Sequence, residues 1–472
     1  MVEGVKIGLE IHGYLNMKDT KEKLFCRCKI DESQNDTPNT NICPRCTGQP
    51  GNKPNTPNKE AVDKIIKCAL MLGCRINHNL LFQRKHYSYP DSPNNYQKTM
   101  SGSYATPVGE QGEFLKIRIT ECHLEEDPAR YDVKTGTIDY NRCGYPLIEI
   151  VTEPDFRTSD EVRVWLRRLM TTLSYIDGVY ENMGVKCDVN VSIKGHPRVE
   201  TKNVNSRAAI CEAIEHELKR QQKLVDSNEA PDYMQTRGWD DSTKSTWFMR
   251  KKETATQYMF IPEPDLPVVQ VDDNYIEHLK KHLPMRPEEK VKLYVSKGLT
   301  EEQAIDMSAE IVLSEIFDDF LLHHDAKLSL DVLSRFKGAL GELNYEISEI
   351  IHNPHFKNHK KELKEIAEAY SQKHLHNQHI RDYARQLAEC IINTKDSEHS
   401  AKEFISKNKL STDTGELDKW VSDAITENPK QVEDIKKGND KMINFLVGQV
   451  MKKSGGKANP GIVKGKIEEK LK

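Results

Sequence analysis

Hydrophobic residues recur with two different periods along this chain of 472 residues, and the two are not mixed evenly. Up to about residue 290, runs with a period of two are interleaved with runs spaced three and four apart. Beyond the proline-rich string Pro262-Glu263-Pro264-Asp265-Leu266-Pro267, from about Pro287 onward, nearly everything is helical in period and rich in Lys and Glu. A period of two suits only a pleated strand and a period near 3.6 only a helix. The expected fold class is therefore α+β. A largely antiparallel sheet domain with flanking helices should occupy 1–290, an all-helical domain 291–410, and a helical tail domain 411–472. The second break falls near Asn408–Gly415, and no repeat at a 20–50-residue period is visible.

Strands are expected at Val5–His12, Leu115–Glu125, Leu147–Glu153, Cys187–Ile193 and Val199–Asn205. Three helices should pack on them. Lys59–Gly73 carries Val62, Ile65, Ile66, Ala69 and Leu70, with Gly73 placed to stop it. Thr158 through Glu161 forms a capping box, and Ser206 can cap a third helix that buries Ala209, Ile210, Ala213 and Ile214.

Apolar stretches such as Cys68–Leu72 fall far short of the ~20 residues a membrane span needs. No basic segment followed by an apolar one opens the chain, so a soluble, cytoplasmic protein is expected. With 69 Lys+Arg against 73 Asp+Glu, the protein as a whole is no polycation. The eleven cysteines are an odd number, and a disulfide scaffold does not suit so long a chain without a secretion signal.

Four of the cysteines are clustered. Cys26-x-Cys28, fourteen residues, then Cys43-Pro-Arg-Cys46 can present four thiolates tetrahedrally to zinc. The polar, turn-rich stretch Asp31–Thr40, which includes Asn35, cannot build a core, and a metal would anchor it. Four protein ligands leave no open position, so the expected zinc is structural. The competing reading is four free buried thiols.

The strands place polar groups on one face. With Val5, Ile7, Leu9 and Ile11 inward, Glu10 and His12 fall together on the other side. By the same alternation Glu121, His123 and Glu125 share a face, with Glu126 and Asp127 at the strand end. Asp188, Asn190 and Ser192 face away from Cys187, Val189 and Val191, and Glu149 and Glu153 share a side. Each such face is ordinarily just solvated. Paired in one sheet, however, these strands would make a hard-ligand surface suited to Mg²⁺ and a nucleotide. There is no G-x-x-x-x-G-K-[S/T], G-x-G-x-x-G or G-x-S-x-G string. Phosphate contacts must therefore rest on metal ions and on bases such as Lys202, Arg142 or Arg84. The segment Arg84–Asp91 interleaves basic and aromatic residues, which suits stacking on a nucleotide or RNA end, or else a tyrosine-rich packed loop.

Residues 436–472 hold ten lysines against three acids, a net charge of +7. Met442, Leu446, Val447 and Val450 form a stripe, Lys452, Lys453 and Lys457 surround a Ser-Gly-Gly turn, and Asn459 and Pro460 can restart a helix. A basic loop between helices fits phosphate contacts on nucleic acid, or simply a solvated end.

Several strings resemble one family. They are Gly8-Leu9-Glu10-Ile11-His12, Leu24-Phe25-Cys26-x-Cys28, Cys43-Pro44-x-Cys46, Arg84-Lys85-x-Tyr87-x-Tyr89-Pro90-Asp91, His123-Leu124-Glu125-Glu126-Asp127, Asp139-Tyr140-Asn141-Arg142, Cys187-Asp188-x-Asn190 and Pro262–Pro267. Together with the tail from Phe445 to Pro460, they resemble the GatB component of the tRNA-dependent amidotransferase, the GatCAB complex, in an archaeal-like form. The chain is too short for the large inserted domain of the archaeal Glu-tRNA(Gln)-specific relative.

The resemblance implies a cradle-shaped kinase domain, a helical domain and a tRNA-binding tail. It implies a carbon–nitrogen ligase with glutamine as amido donor, in which ATP phosphorylates the side-chain carboxylate of mischarged Asp-tRNA(Asn) or Glu-tRNA(Gln). Ammonia from the amidase (glutaminase) component GatA would then form the amide, with the small component GatC wrapping the pair. It implies Glu10, His12, Glu125 and Glu149 as the catalytic Mg²⁺ and ammonia-side pocket. His123, Glu126, Asp188 and Asn190 would be neighbours, Lys202 would contact the nucleotide, and Lys452, Lys453 and Lys457 the tRNA. Gly13-Tyr14 and Asn182-Met183-Gly184-Val185-Lys186 depart from the family's usual strings. The rival expectation is a non-catalytic tRNA-binding scaffold.

Overall fold

The computed structural model describes residues 2–32, 36–87, 89–180, 185–252, 259–342, 356–372, 374–392, 400–410, 414–436 and 441–471. Asn35, Asn182–Gly184 and part of the expected break near residue 410 lie outside them. Two compact units result, Met1–Arg286 and Pro287–Lys472.

The first unit is built on one sheet, twelve-stranded among the described residues. Its centre runs, strand beside strand, through His196–Val204, Val185–Ile193, Lys6–Tyr14, Pro146–Thr152 and Ile117–Glu126. These pairings are antiparallel, and His196–Val204 then pairs in parallel with Gln235–Asp240. The alternation of the first strand is realised: Ile7, Leu9 and Ile11 are buried in the core with Val189, Val191, Ile148 and Ile150. Helices cover that apolar face. Lys59–Met71, Ser159–Ser174 and Arg207–Asp226 contribute Ile65, Leu166, Leu169 and Ile210 to the same core.

Both predicted caps form. Thr158 accepts from the Glu161 N–H at 3.2 Å, and Ser206 accepts from the Ala209 N–H at 3.1 Å. Thr158→Ala should lower stability by about 1 kcal/mol, read by urea unfolding. A change below a few tenths would show that the cap contributes nothing.

The second unit is helical throughout its described residues. Tyr294, Phe317, Phe320, Phe336 and Tyr383 dominate one core, and Leu417, Val421, Leu446, Val450 and Val463 form another. Helix Lys441–Lys453 ends at Gly455 and Gly456, both at positive φ, and the Gly456 N–H returns to the Met451 carbonyl at 2.9 Å. That is a glycine-dependent helix end. Asn459 then caps Pro460–Leu471, accepting from the Gly461 N–H at 3.0 Å. No described helix is long and apolar enough to cross a membrane.

Candidate functional site

The register of the sheet decides what meets. Glu10 lies opposite Asp188, His12 opposite Glu149, Glu149 opposite His123, and Asn190 opposite Glu200. Directly opposed residues share a face and touch, because neighbouring strands are only ~4.8 Å apart. Residues more than 100 positions apart in sequence therefore form one polar band across five strands. The band is buried at His123, Glu125 and Glu200, and half-buried at Glu10, His12, Glu149 and Asp188.

Two ligand groups abut along it. In the first, His12 Nδ1 stands 3.6 Å from Glu125 and 3.9 Å from Glu149. His123 Nε2 lies 3.0 Å from Glu149, while its Nδ1 lies 3.3 Å from Glu121. In the second, Glu10, Asp188 and Glu200 converge so that one oxygen from each lies within 4.8 Å of the others. Lys202 bridges Asp188 and Glu200, Lys252 reaches Glu200 at 2.8 Å, and Asn190 Nδ2 donates to Glu10 at 3.0 Å.

The electrostatics follow from this crowding. Burial pushes the His12 imidazolium toward neutrality, but Glu149 and Glu125 outweigh it and hold its pKa at about 9. Burial opposes ionisation of Glu125, yet its hydrogen bonds and charge contacts with the two histidines keep it well below the usual carboxylate range. Glu10 goes the other way, raised by burial and then by Glu149, Glu200 and Asp188.

The donor set fits a hard divalent cation. Carboxylate oxygens and imidazole face one another, and among the described residues the buried Asn190 Oδ1 has no hydrogen-bond partner and neither nitrogen of buried His123 makes a well-aligned hydrogen bond. To bind a cation, His12 must give up the proton it carries at neutral pH.

The thiols also converge. Cys26, Cys28, Cys43 and Cys46 place their Sγ atoms within 4.8 Å of one another, and Cys43 and Cys46 are 3.9 Å apart. Zn–S bonds of about 2.3 Å in a tetrahedron require nearly that spacing. The Cys46 thiol is lowered to about 5, first by its hydrogen bond to Cys26; burial opposes the shift, and the ammonium of buried Lys23, 3.6 Å away, assists it.

Not every predicted residue joins the band. Glu126 points to the opposite face of its strand, where it holds buried Lys98 at 2.6 Å, so it is not a neighbour of the two groups. Glu153, just past the end of Pro146–Thr152, accepts from Thr120 at 2.9 Å and belongs to neither ligand group. Arg84 grips Glu263 through two hydrogen bonds of 2.8 and 2.9 Å, and Arg142 holds Asp127 at 2.7 Å. Both guanidiniums are thus committed to structural carboxylates rather than to phosphate. Tyr14, one of the departures, donates to the same Asp127 at 2.8 Å. In the tail Lys452 and Lys457 are exposed, whereas Lys453 is tied to Glu427. Glu200 and Lys252 were missed. Glu200 sits two residues before Lys202 on the same face, so the period of two could have found it.

The sequence of the unit that carries this band places it in the class of GatB/GatE catalytic chains. Residues 5–277 match the GatB/GatE catalytic domain and residues 319–471 the GatB domain. The chain belongs to the GatB family of amidotransferase subunits. The B subunit of the aspartyl/glutamyl-tRNA(Asn/Gln) amidotransferase of Methanococcus maripaludis is 38% identical, over 99% of this chain and 98% of that protein. Its counterpart in Methanothermobacter thermautotrophicus is 38% identical over 99% and 100%, and that in Methanocaldococcus jannaschii 36% over 99% and 98%. Membership assigns the chain to a multi-subunit, glutamine-dependent ligase of protein biosynthesis.

Proposed function

We propose that this chain converts the side-chain carboxylate of Asp-tRNA(Asn) or Glu-tRNA(Gln) into an acyl phosphate at the expense of ATP, and then into the amide. The observation that carries this reading is the abutment of two partly buried hard-ligand groups on one sheet face. A carboxylate oxygen of the aminoacyl group attacks the γ-phosphorus, and the bond to ADP breaks. Ammonia then attacks the acyl carbon, and phosphate leaves. His12, Glu125 and Glu149 would hold one Mg²⁺, and Glu10, Asp188 and Glu200 with Asn190 a second. Bound there, Mg²⁺ screens the charge on the transferring phosphoryl group. Lys202, already poised between Asp188 and Glu200, orients phosphate oxygens. A carboxylate or imidazole near the acyl phosphate takes a proton from ammonium, releasing the nucleophile.

Ammonia comes from glutamine through the amidase component GatA, with the small component GatC completing a cytoplasmic complex. The four thiols hold a structural zinc, and 291–410 and 411–472 act as separate helical domains. The test uses the assembled complex without glutamine but with ATP, mischarged tRNA and hydroxylamine. Trapping of the hydroxamate, dependent on both ATP and mischarged tRNA, is expected. Amide formation without ATP consumption would overturn the reading and leave a tRNA-binding scaffold.

The exposed Lys452 and Lys457 support a tRNA role for the tail. Removing residues 412–472 should raise the KM for tRNA by roughly tenfold while lowering kcat less, and should flatten the salt dependence of binding. Equal tRNA affinity in the two forms would defeat this role.

A further inference from the structure

The polar band does not end at Lys202. Gly238 lies in register beside Lys202, and Trp247, on strand Ser245–Lys251, lies in register beside Gly238. Opposed residues share a face. The Thr236 hydroxyl donates to Glu200 at 2.9 Å, which fixes that face as the one carrying the second carboxylate group. Trp247 packs over Gly238 so closely that a Cβ added there would come within 2.6 Å of the indole. Glycine therefore makes the seat for this ring. Trp247 is nonetheless 51% exposed, whereas Trp165 and Trp239 are 3% and 7% exposed.

We propose that Trp247, its indole lying over Gly238, is the platform on which the nucleotide's base stacks, with the phosphates reaching Lys202 and the group of Glu10, Asp188 and Glu200. This rests on the reading of that group as the phosphoryl-donor site. The ring seated over Gly238 stands one strand spacing, about 5 Å, from the Lys202 strand, which puts a stacked base next to the groups that would take the phosphates. The sequence of surfaces along the row is that of a nucleotide: an aromatic plane seated on glycine, a cation, then hard oxygen ligands. Stacking reads the π-face of any base, so this contact supplies affinity rather than choice of purine. A free nucleotide is favoured over an RNA end because the platform is continuous with the phosphate-binding chemistry.

The experiment is equilibrium binding of MgATP and of magnesium tripolyphosphate to the assembled complex, for wild type, Trp247→Ala and Trp247→Phe. Trp247→Ala should weaken MgATP by about tenfold, the usual size of a lost base–aromatic stack. Tripolyphosphate, which has no base, should bind as to wild type, and Trp247→Phe should recover most of the MgATP affinity. Quenching of tryptophan fluorescence by MgATP should vanish in both variants. Equal weakening of both ligands would mean a distorted site, and unchanged MgATP affinity would mean a ring that merely fills the space above Gly238. A raised KM for tRNA alone would place an RNA base there. Any of these three overturns the proposal. Failure of MgATP to bind wild type, by contrast, would sink the phosphoryl-donor reading itself.

Discussion

Glu125→Gln in the assembled amidotransferase should lower kcat for amide formation by about 10²–10³, the usual size for removal of one preorganised electrostatic group from a reacting centre. The substitution keeps the size of the side chain and its place opposite Thr99 in the sheet. It removes the charge that His12 and His123 both face. His12 and His123 are then left with Glu149 and Glu121 as their carboxylate neighbours, and a ligand is missing from the first group. The rate is measured with saturating ammonium chloride in place of glutamine, so that ammonia delivery does not mask the chemistry. A wild-type rate would remove Glu125 from the reacting centre.

The neighbouring residue supplies the control. Glu126 is adjacent in sequence yet lies on the opposite face, paired to Lys98. Glu126→Gln leaves a buried ammonium without its counter-charge, a change that typically costs a few kcal/mol of stability. It should lower Tm while leaving kcat per folded complex close to wild type. Opposite phenotypes for two adjacent glutamates distinguish a site on one face from a general acidic surface.

That contrast also shows what the sequence could reveal. Which side of a strand Glu10, His12, Glu125 or Asp188 occupies follows from alternation with Ile and Val, because a pleat has only two sides. Which strands stand beside one another does not follow from alternation. The split into two ligand groups depends on Glu10 pairing with Asp188 while His12 pairs with Glu149, a register that exists only after folding. Arg84 and Arg142 read as available cations because their partners, Glu263 and Asp127, lie far away or past a turn. Local features were more legible. The caps at Thr158, Ser206 and Asn459 need only a few adjacent residues, and each forms.

Cys43→Ser should reduce bound zinc from one equivalent to less than half and lower Tm by about 10 °C. The size of the effect starts from the large free energy of a structural zinc, about 10–16 kcal/mol in small peptides that have no other fold. Most of that is not at stake in this chain, because the knuckle has other anchors. The Asp31 N–H donates to the Tyr145 hydroxyl at 2.7 Å, and the Asn41 N–H donates to Asn141 at 2.9 Å. Those contacts hold the loop to residues a hundred positions away and should survive loss of the metal. A remaining loss of several kcal/mol corresponds to the stated fall, at about 2–4 °C per kcal/mol for a domain of this size. The effect on chemistry should be small by comparison, since four thiolates fill a tetrahedral shell and leave no position for substrate. Buried Lys23 adds a second consequence. Its ammonium faces the Cys46 sulfur, so removing the anionic centre leaves a buried charge with less to balance it. Lys23→Met should therefore destabilise the zinc-loaded protein more than the zinc-free one. Wild-type protein purified without zinc, or unchanged zinc content in Cys43→Ser, would show instead that the knuckle is four thiols packed around no metal.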